Sequence, residues 1–344
     1  MTALSQNADP SDFRKMLVEA PGQFRTGFEL GRSISISGTY SSIEISGMGG
    51  SALPGNLLRV YLADHFRRFD GKHPIAIYQN RFYGLPHEAY QEGCLNFICS
   101  YSGNTEETVA AFQEALKNKI PSVGISAGGE IEALCRTHAI PHIKLPIPFQ
   151  NFQPRVGTGY FFGAIFGVLA KLGMVADTCD ELVGEAEALS LEMPSLEEQG
   201  RQLAEKIVGK TPVIYADTRY KSVAMIWKIK MNENAKTPAF WNFFPELNHN
   251  EMVGFTNPQG KFFLIMLVDR EESVQMRKRF DVTAKILESR GISSESLDMG
   301  EGSVFTKMFR MIFLGDWASY YLALRYGVDP TPVDMVEELK KMLA

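Results

Sequence analysis

Two hydroxyl- and glycine-rich turns, one glutamate and one histidine are the parts of this chain whose types and spacing could offer chemistry. Gly47-Met48-Gly49-Gly50-Ser51 follows the strand-like Ile43–Ser46. Glycines at 49 and 50 let backbone N–H groups approach an anion, and the helix expected next presents its positive end. The second turn runs from Ser100 to Thr108 and sets the hydroxyls of Ser100, Ser102 and Thr105 between a strand-like run and a helix that opens with Glu106 and Glu107. Amides and hydroxyls together hold a phosphate dianion without a lysine. Each turn alone also has a plainer reading, a tight turn for the first and a helix cap at Thr105 for the second. No G-K-[ST] follows either turn, so neither is a Walker loop. Ala52 stands where a dinucleotide fingerprint has its third glycine, and the second strand ends in Tyr78-Gln79-Asn80 without an acid for a ribose. No nicotinamide or other cofactor is expected.

Taken as a pair, G-x-G-G-S and the later S-x-S-G-x-T-x-E-T resemble the sugar isomerase (SIS) domain, a phosphosugar-binding module. The resemblance implies that Ser51, Ser100, Ser102 and Thr105 hold a sugar phosphate, beside the amides of Gly49 and Gly50.

Glu233 ends a helical pattern just before a proline-containing turn, Asn234-Ala235-Lys236-Thr237-Pro238, and His249 lies in Glu246-Leu247-Asn248-His249-Asn250-Glu251. Spacing alone leaves Glu233 as a solvated helix-end carboxylate and His249 as a loop histidine that bonds backbone. Moving a proton between neighbouring sugar carbons requires a base, a group that opens the ring, and positive charge near the developing enediolate. The E-N-x-K-x-P-A turn, with sixteen residues from Glu233 to the histidine of E-x-N-H-N-E, resembles the bifunctional phosphoglucose/phosphomannose isomerase family over nearly the whole chain. That resemblance implies roles for several residues. Glu233 would shuttle a proton between C1 and C2. His249 would assist ring opening from the neighbouring subunit of a homodimer. Arg155, in Pro154-Arg155-Val156-Gly157-Thr158-Gly159-Tyr160, would stabilise the enediolate. A lysine of the C-terminal helix, Lys340 or its neighbour Lys341, would complete ring opening. Thr331 would leave room at C2 for both epimers, glucose and mannose. The expected substrates are hexose 6-phosphates, and no metal is called for, because no His, Cys and carboxylate cluster shows ligand spacing.

Two rival readings share the SIS fold. The isomerase half of a glucosamine-6-phosphate synthase uses a similar glutamate and histidine, but this chain shows no amidotransferase domain. A non-catalytic sugar-phosphate sensor has no need for Glu233, His249 and Arg155 together, and no basic recognition helix accompanies them.

The elements that must position these groups alternate between strand and helix. Ile43–Ser46, 73–78, Leu95–Cys99, Ser122–Ile125 and His142–Leu145 read as strands separated by helices, which implies right-handed βαβ units and a parallel sheet. A second half repeats the plan with strands at Pro212–Ala216, Lys261–Val268 and Ile292–Leu297 and helices at Tyr220–Met231, Glu272–Arg290 and Val304–Tyr326. The expected fold is α/β, with two SIS-type doubly wound domains whose parallel sheets are flanked by helices. An N-terminal domain at 1–180 holds the phosphosugar loops, a polar hinge lies at 175–195, and a domain at 190–344 carries the catalytic glutamate, the histidine and the C-terminal helix. The length of 344 residues suits two such domains. Hydrophobic residues at 45% and charged residues at 22% allow full cores and exclude disorder. A net charge of −5 excludes a general nucleic-acid binder. Cys94, Cys99, Cys135 and Cys179 show no paired spacing and read as free thiols. The polar N-terminus is no signal peptide, and the apolar run Gly159–Leu172 is too short to span a bilayer. The chain is therefore expected in the cytoplasm, with no nucleic-acid or membrane partner.

Overall fold

The computed structural model describes residues 8–68 and 74–343. The described chain forms two compact units: one from Glu19 to Ser190, the other from Leu191 onward together with the residues up to Val18. A short helix α1 (Phe13–Val18) belongs to the latter unit, although it begins the chain. Asp9 accepts from the Phe13 and Arg14 amides and from the Tyr320 hydroxyl, which holds this segment in the unit. The stretch expected as a hinge is largely helical, because α7 (Cys179–Ile207) runs unbroken through it.

In the Glu19–Ser190 unit, α2 (Gln23–Ser33) precedes β1 (Ser42–Gly47), α3 (Leu53–Arg68), β2 (Ala76–Asn80), β3 (Cys94–Cys99), α4 (Glu106–Lys117), β4 (Ser122–Ser126), α5 (Gly129–His138), β5 (His142–Lys144) and α6 (Thr158–Lys171). The five strands pair in the order β2-β1-β3-β4-β5, all parallel. β1 and β3 are buried along their whole length, as in a parallel sheet covered on both faces. β2 starts at Ala76, and His73 of the expected strand lies outside the described residues. The glycines of the apolar helix α6 have a packing reason. A Cβ on Gly163 would come within 2.9 Å of the Phe24 carbonyl oxygen, and one on Gly31 of α2 within 2.2 Å of the Ala164 carbonyl oxygen, so the two helix backbones touch.

The second unit contains β6 (Thr211–Asp217), α8 (Lys221–Glu233), β7 (Phe240–Phe244), β8 (Phe262–Val268), α9 (Val274–Glu288), β9 (Ser293–Asp298), α10 (Val304–Tyr326) and α11 (Asp334–Leu343). Its strands pair in the order β7-β6-β8-β9, again all parallel. Tyr215, Phe244, Leu247, Phe255, Met266 and Phe280 belong to one core cluster on this sheet. The edge strand β7 was not expected from sequence. All four cysteines are buried free thiols. No helix among the described residues is long and apolar enough to cross a membrane.

Candidate active site

Both sheets reverse strand order beside their first strand, and open α/β sheets place ligands at such a switch point. In the first sheet it lies between β1 and β3, where both sequence-marked turns emerge. The Ser51 hydroxyl accepts the Tyr101 backbone N–H at 3.0 Å, which ties the first turn to the second. The Ser100 hydroxyl lies 2.9 Å from that of Thr105 and accepts the Gly103 N–H at 3.1 Å. Thr105 occupies the cap position of α4, yet its side chain makes no capping hydrogen bond. Its hydroxyl is directed to Ser100 instead, so the plainer reading of this threonine does not describe its geometry. Ser102 is exposed and accepts the Asn104 N–H. Gly103 has φ +74°, and a Cβ there would sit 1.8 Å from the Gly128 carbonyl oxygen, so the turn closes only with glycine.

Arg155 joins this half-site. It sits in a short 3-10 turn, Pro154–Val156, just ahead of α6, with 2% of its surface exposed. Its Nη1 donates to the Gln153 Oε1 at 2.8 Å. A Cβ on Gly50 would meet the Arg155 Cα and N at 2.7 Å, so the glycine lets the arginine's backbone lie directly against the first turn. Gly49, at φ +49°, faces open space. Below the turn, Glu44 of β1 is wholly buried, and that burial pushes its carboxyl up to about 8 against the smaller opposing effect of the Ser46 hydroxyl. At neutral pH it is protonated and places no negative charge under the anion site.

The second sheet offers no counterpart. Its switch point between β6 and β8 carries Asp217 and Asp269. Lys307 pairs with Asp269 at 2.8 Å, and the Tyr220 hydroxyl donates to the same carboxylate at 3.1 Å. Burial raises Asp217 to about 6.

That unit carries the segment with the expected proton carrier, Glu233. Glu233 is half-buried at the last position of α8. The turn after it is held by its own polar residues: the Asn234 amide donates to the Ser319 hydroxyl at 2.9 Å, and the Asn232 amide to the Thr237 carbonyl at 2.8 Å. Lys236, at φ +54°, donates to the carbonyls of Glu233 at 2.6 Å and Pro330 at 3.0 Å. One ammonium thereby draws the Glu233 turn and the Thr331 segment together; Thr331 is 5% exposed. His249 is exposed, at the end of the 3-10 turn Glu246–His249, between the buried anchors Leu247 and Phe255. Lys340 stands on α11, a helix with no buried residue, and donates to Glu337 at 2.6 Å; Lys341 is exposed on the same helix. The structure therefore gathers Gly49, Gly50, Ser51, Ser100, Thr105 and Arg155 in one unit, and Glu233 with Thr331 in the other. It leaves His249 and Lys340 exposed. Gln153, Tyr101 and Lys236 were not singled out from sequence. Lys236 was readable only as a letter of the E-N-x-K turn.

Two parallel sheets, with a hydroxyl-lined switch point in the first, define a protein of the phosphosugar-binding SIS class. The bacterial phospho-glucose isomerase C-terminal SIS domain family matches residues 196–343. The chain belongs to the bifunctional phosphoglucose/phosphomannose isomerase family. It is 35% identical to the bifunctional phosphoglucose/phosphomannose isomerase of Caldicellulosiruptor bescii, over 94% of this chain and 96% of that one. It is 33% identical to the Aquifex aeolicus protein of the same name, over 88% of this chain and 91% of that one. Among solved structures, a hypothetical protein from Thermus thermophilus superposes with a TM-score of 0.74 at 16% identity, covering 97% of this chain and 92% of its own. The C-terminal domain of glucosamine-fructose-6-phosphate aminotransferase from Francisella tularensis gives 0.68 at 18%, covering 93% and 97%. These two likenesses concern the fold alone.

Proposed function

We propose that this protein is an aldose-ketose isomerase that interconverts glucose 6-phosphate and mannose 6-phosphate with fructose 6-phosphate through a cis-enediolate. The observation that carries the reading is near-full-length identity above 30% with curated isomerases of that dual name.

The phosphate seats on the amides of Gly49 and Gly50 and the hydroxyls of Ser51, Ser100, Ser102 and Thr105. Neutral donors suit this position because Glu44, buried in the strand that leads into the first turn, carries a proton. His249, reaching in from the second copy of a homodimer, and Lys340 or Lys341 move protons between ring oxygen and the anomeric hydroxyl as the ring opens. Exposure of the imidazole on its own unit supports donation to another copy. Glu233 removes the C2 proton of the open aldose, Arg155 stabilises the enediolate oxygens, and Glu233 returns the proton at C1. Thr331, held beside the Glu233 turn through Lys236, sits near the C2 hydroxyl and tolerates either epimer. The working location is the cytoplasm, where hexose phosphates are made and consumed.

The test is a coupled assay with each of the three hexose 6-phosphates on wild type and Glu233→Gln. Loss of the base lowers kcat by about 10²–10⁴-fold while a competitive sugar-phosphate inhibitor still binds. Wild-type turnover in the Gln variant refutes the assignment of the base, and no turnover of any of the three sugars by wild type refutes the function. The dimer predicts a solution mass near twice 38.4 kDa.

A further inference from the structure

The loop that presents His249 is clipped to the sheet at one point two residues further on. Tyr215 of β6 and Asn242 of β7 are register partners on neighbouring strands. The Tyr215 hydroxyl donates to the Glu251 Oε1 at 2.6 Å, and the Asn242 amide donates to the Glu251 Oε2. A carboxylate that takes one donor on each oxygen is fixed in plane as well as in position. Tyr215 is fully buried, so its hydroxyl cannot turn to water for another partner. The other side of the loop is held more loosely. The Asn248 amide donates to the Thr283 hydroxyl of α9 at 2.9 Å and accepts from Arg279 at 3.3 Å, while Asn250 donates to Glu246 at 2.7 Å. Leu247 and Phe255 bury the ends of the loop, and His249 and Asn250 stand exposed between them.

We propose that Glu251 is a positioning residue for ring opening: through Tyr215 and Asn242 it fixes the backbone from which His249 is presented. This inference rests on the reading of His249 given above. An exposed imidazole gains nothing from the packing of its own unit, so its aim is set by the backbone on either side. Proton transfer demands heavy-atom approach to about 2.6–3.2 Å, and a loop free to shift by an ångström forfeits that geometry for much of the time. Glu251 lies two residues from the imidazole and has no part in holding the phosphate, so its loss is felt in turnover and not in affinity.

The experiment compares Glu251→Ala, Glu251→Gln, His249→Ala and the His249→Ala/Glu251→Ala double variant in the full chain. Glu251→Ala lowers kcat for glucose 6-phosphate by about tenfold to a hundredfold, since misplacement by about 1 Å costs up to 10²-fold; KM stays within about twofold. Glu251→Gln recovers only in part, to a kcat between those of Glu251→Ala and wild type, because an amide accepts from Asn242 and donates to Tyr215 but leaves the buried Tyr215 O–H proton without an acceptor. In the His249→Ala background the Glu251 change adds no further loss, the mark of a residue that acts only through another. With 2-deuterated glucose 6-phosphate, the isotope effect on kcat moves toward unity in Glu251→Ala, because ring opening has become slower than C–H cleavage. Should Glu251→Ala fail to fold, Tyr215→Phe removes one of the two donors and keeps the ring packing; it lowers kcat at least threefold, again only when His249 is present. Wild-type kcat in Glu251→Ala, or additive losses in the double variant, overturns this inference alone. Full activity in His249→Ala overturns the role of His249 and takes this inference with it.

Discussion

Adding one methyl group at Gly50 tests whether Arg155, proposed to stabilise the enediolate, and the proposed phosphate loop act as one unit. A Cβ at this position lies 2.7 Å from both the N and Cα of Arg155 and 2.8 Å from the Pro154 carbonyl carbon. All three are backbone atoms, so no side chain can swing aside. Restoring a separation of 3.4 Å, where ordinary contact begins, moves the Pro154–Val156 turn outward by about 0.7 Å. Arg155 travels with that turn, while the phosphate stays with the Ser51 and Ser100 hydroxyls. The expected cost of Gly50→Ala is therefore about 1–3 kcal/mol of stability and about 10²-fold in kcat, the scale set by near-ångström misplacement of a catalytic group. Affinity for a competitive sugar phosphate changes much less. Initial rates in the fructose 6-phosphate direction, inhibitor titration and a thermal melt separate these effects. A Gly50→Ala protein with wild-type kcat refutes the claim that the backbone contact sets the arginine's position.

Two further outcomes follow from the same unit. Thr105→Val lowers Tm by a few degrees, because the buried Ser100 hydroxyl loses its 2.9 Å partner, and raises KM for all three hexose phosphates about tenfold, near the worth of one hydrogen bond to a charged group; a lowered Tm with unchanged KM would leave Thr105 with a structural role alone. Glu44 keeps its proton in the folded state up to about pH 8 and loses it near 4.3 when unfolded, so between those values the folded chain binds more proton. Stability should then fall as pH rises through that window, by up to about 1.4 kcal/mol per unit, and level off above it. Thermal melts from pH 5 to 9 should show this slope in wild type and lose it in Glu44→Gln; equal slopes would place the proton elsewhere.

The two turns were legible because each is a local device. Glycine at a fixed offset after an apolar run, then hydroxyls ahead of a helix with acids in its first turn, describes a strand-loop-helix without reference to anything distant. β1, β3, β4 and β5 were legible for the same reason, as short segments carrying Ile, Val, Leu or Phe near turn residues. The strand β7 was not, because Phe240-Trp241-Asn242-Phe243-Phe244 lacks alternation and lies between two prolines, Pro238 and Pro245, and it becomes a strand by pairing with β6. Helices α1 and α2 also went unread. α2 carries Gly27 and Gly31, poor helix formers whose value lies in letting α6 approach.

The site divides along the same line. Residue types and spacing by themselves marked only Ser51, Ser100 and Thr105 as donors an anion could use, while the expected roles of Glu233 and Arg155 came from the resemblance of their motifs to a known family. Only the tertiary structure decided that Arg155 lies against Gly50, that the Thr105 hydroxyl turns to Ser100 and not to its own helix, that Lys236 joins the Glu233 turn to Pro330, and that Glu251 is gripped from Tyr215 and Asn242. Most of these are contacts between segments well apart in the chain, whose strength comes from burial and from the pairing of each donor with an acceptor. A linear pattern records the groups that can make such bonds, whereas the choice among partners belongs to the packed chain.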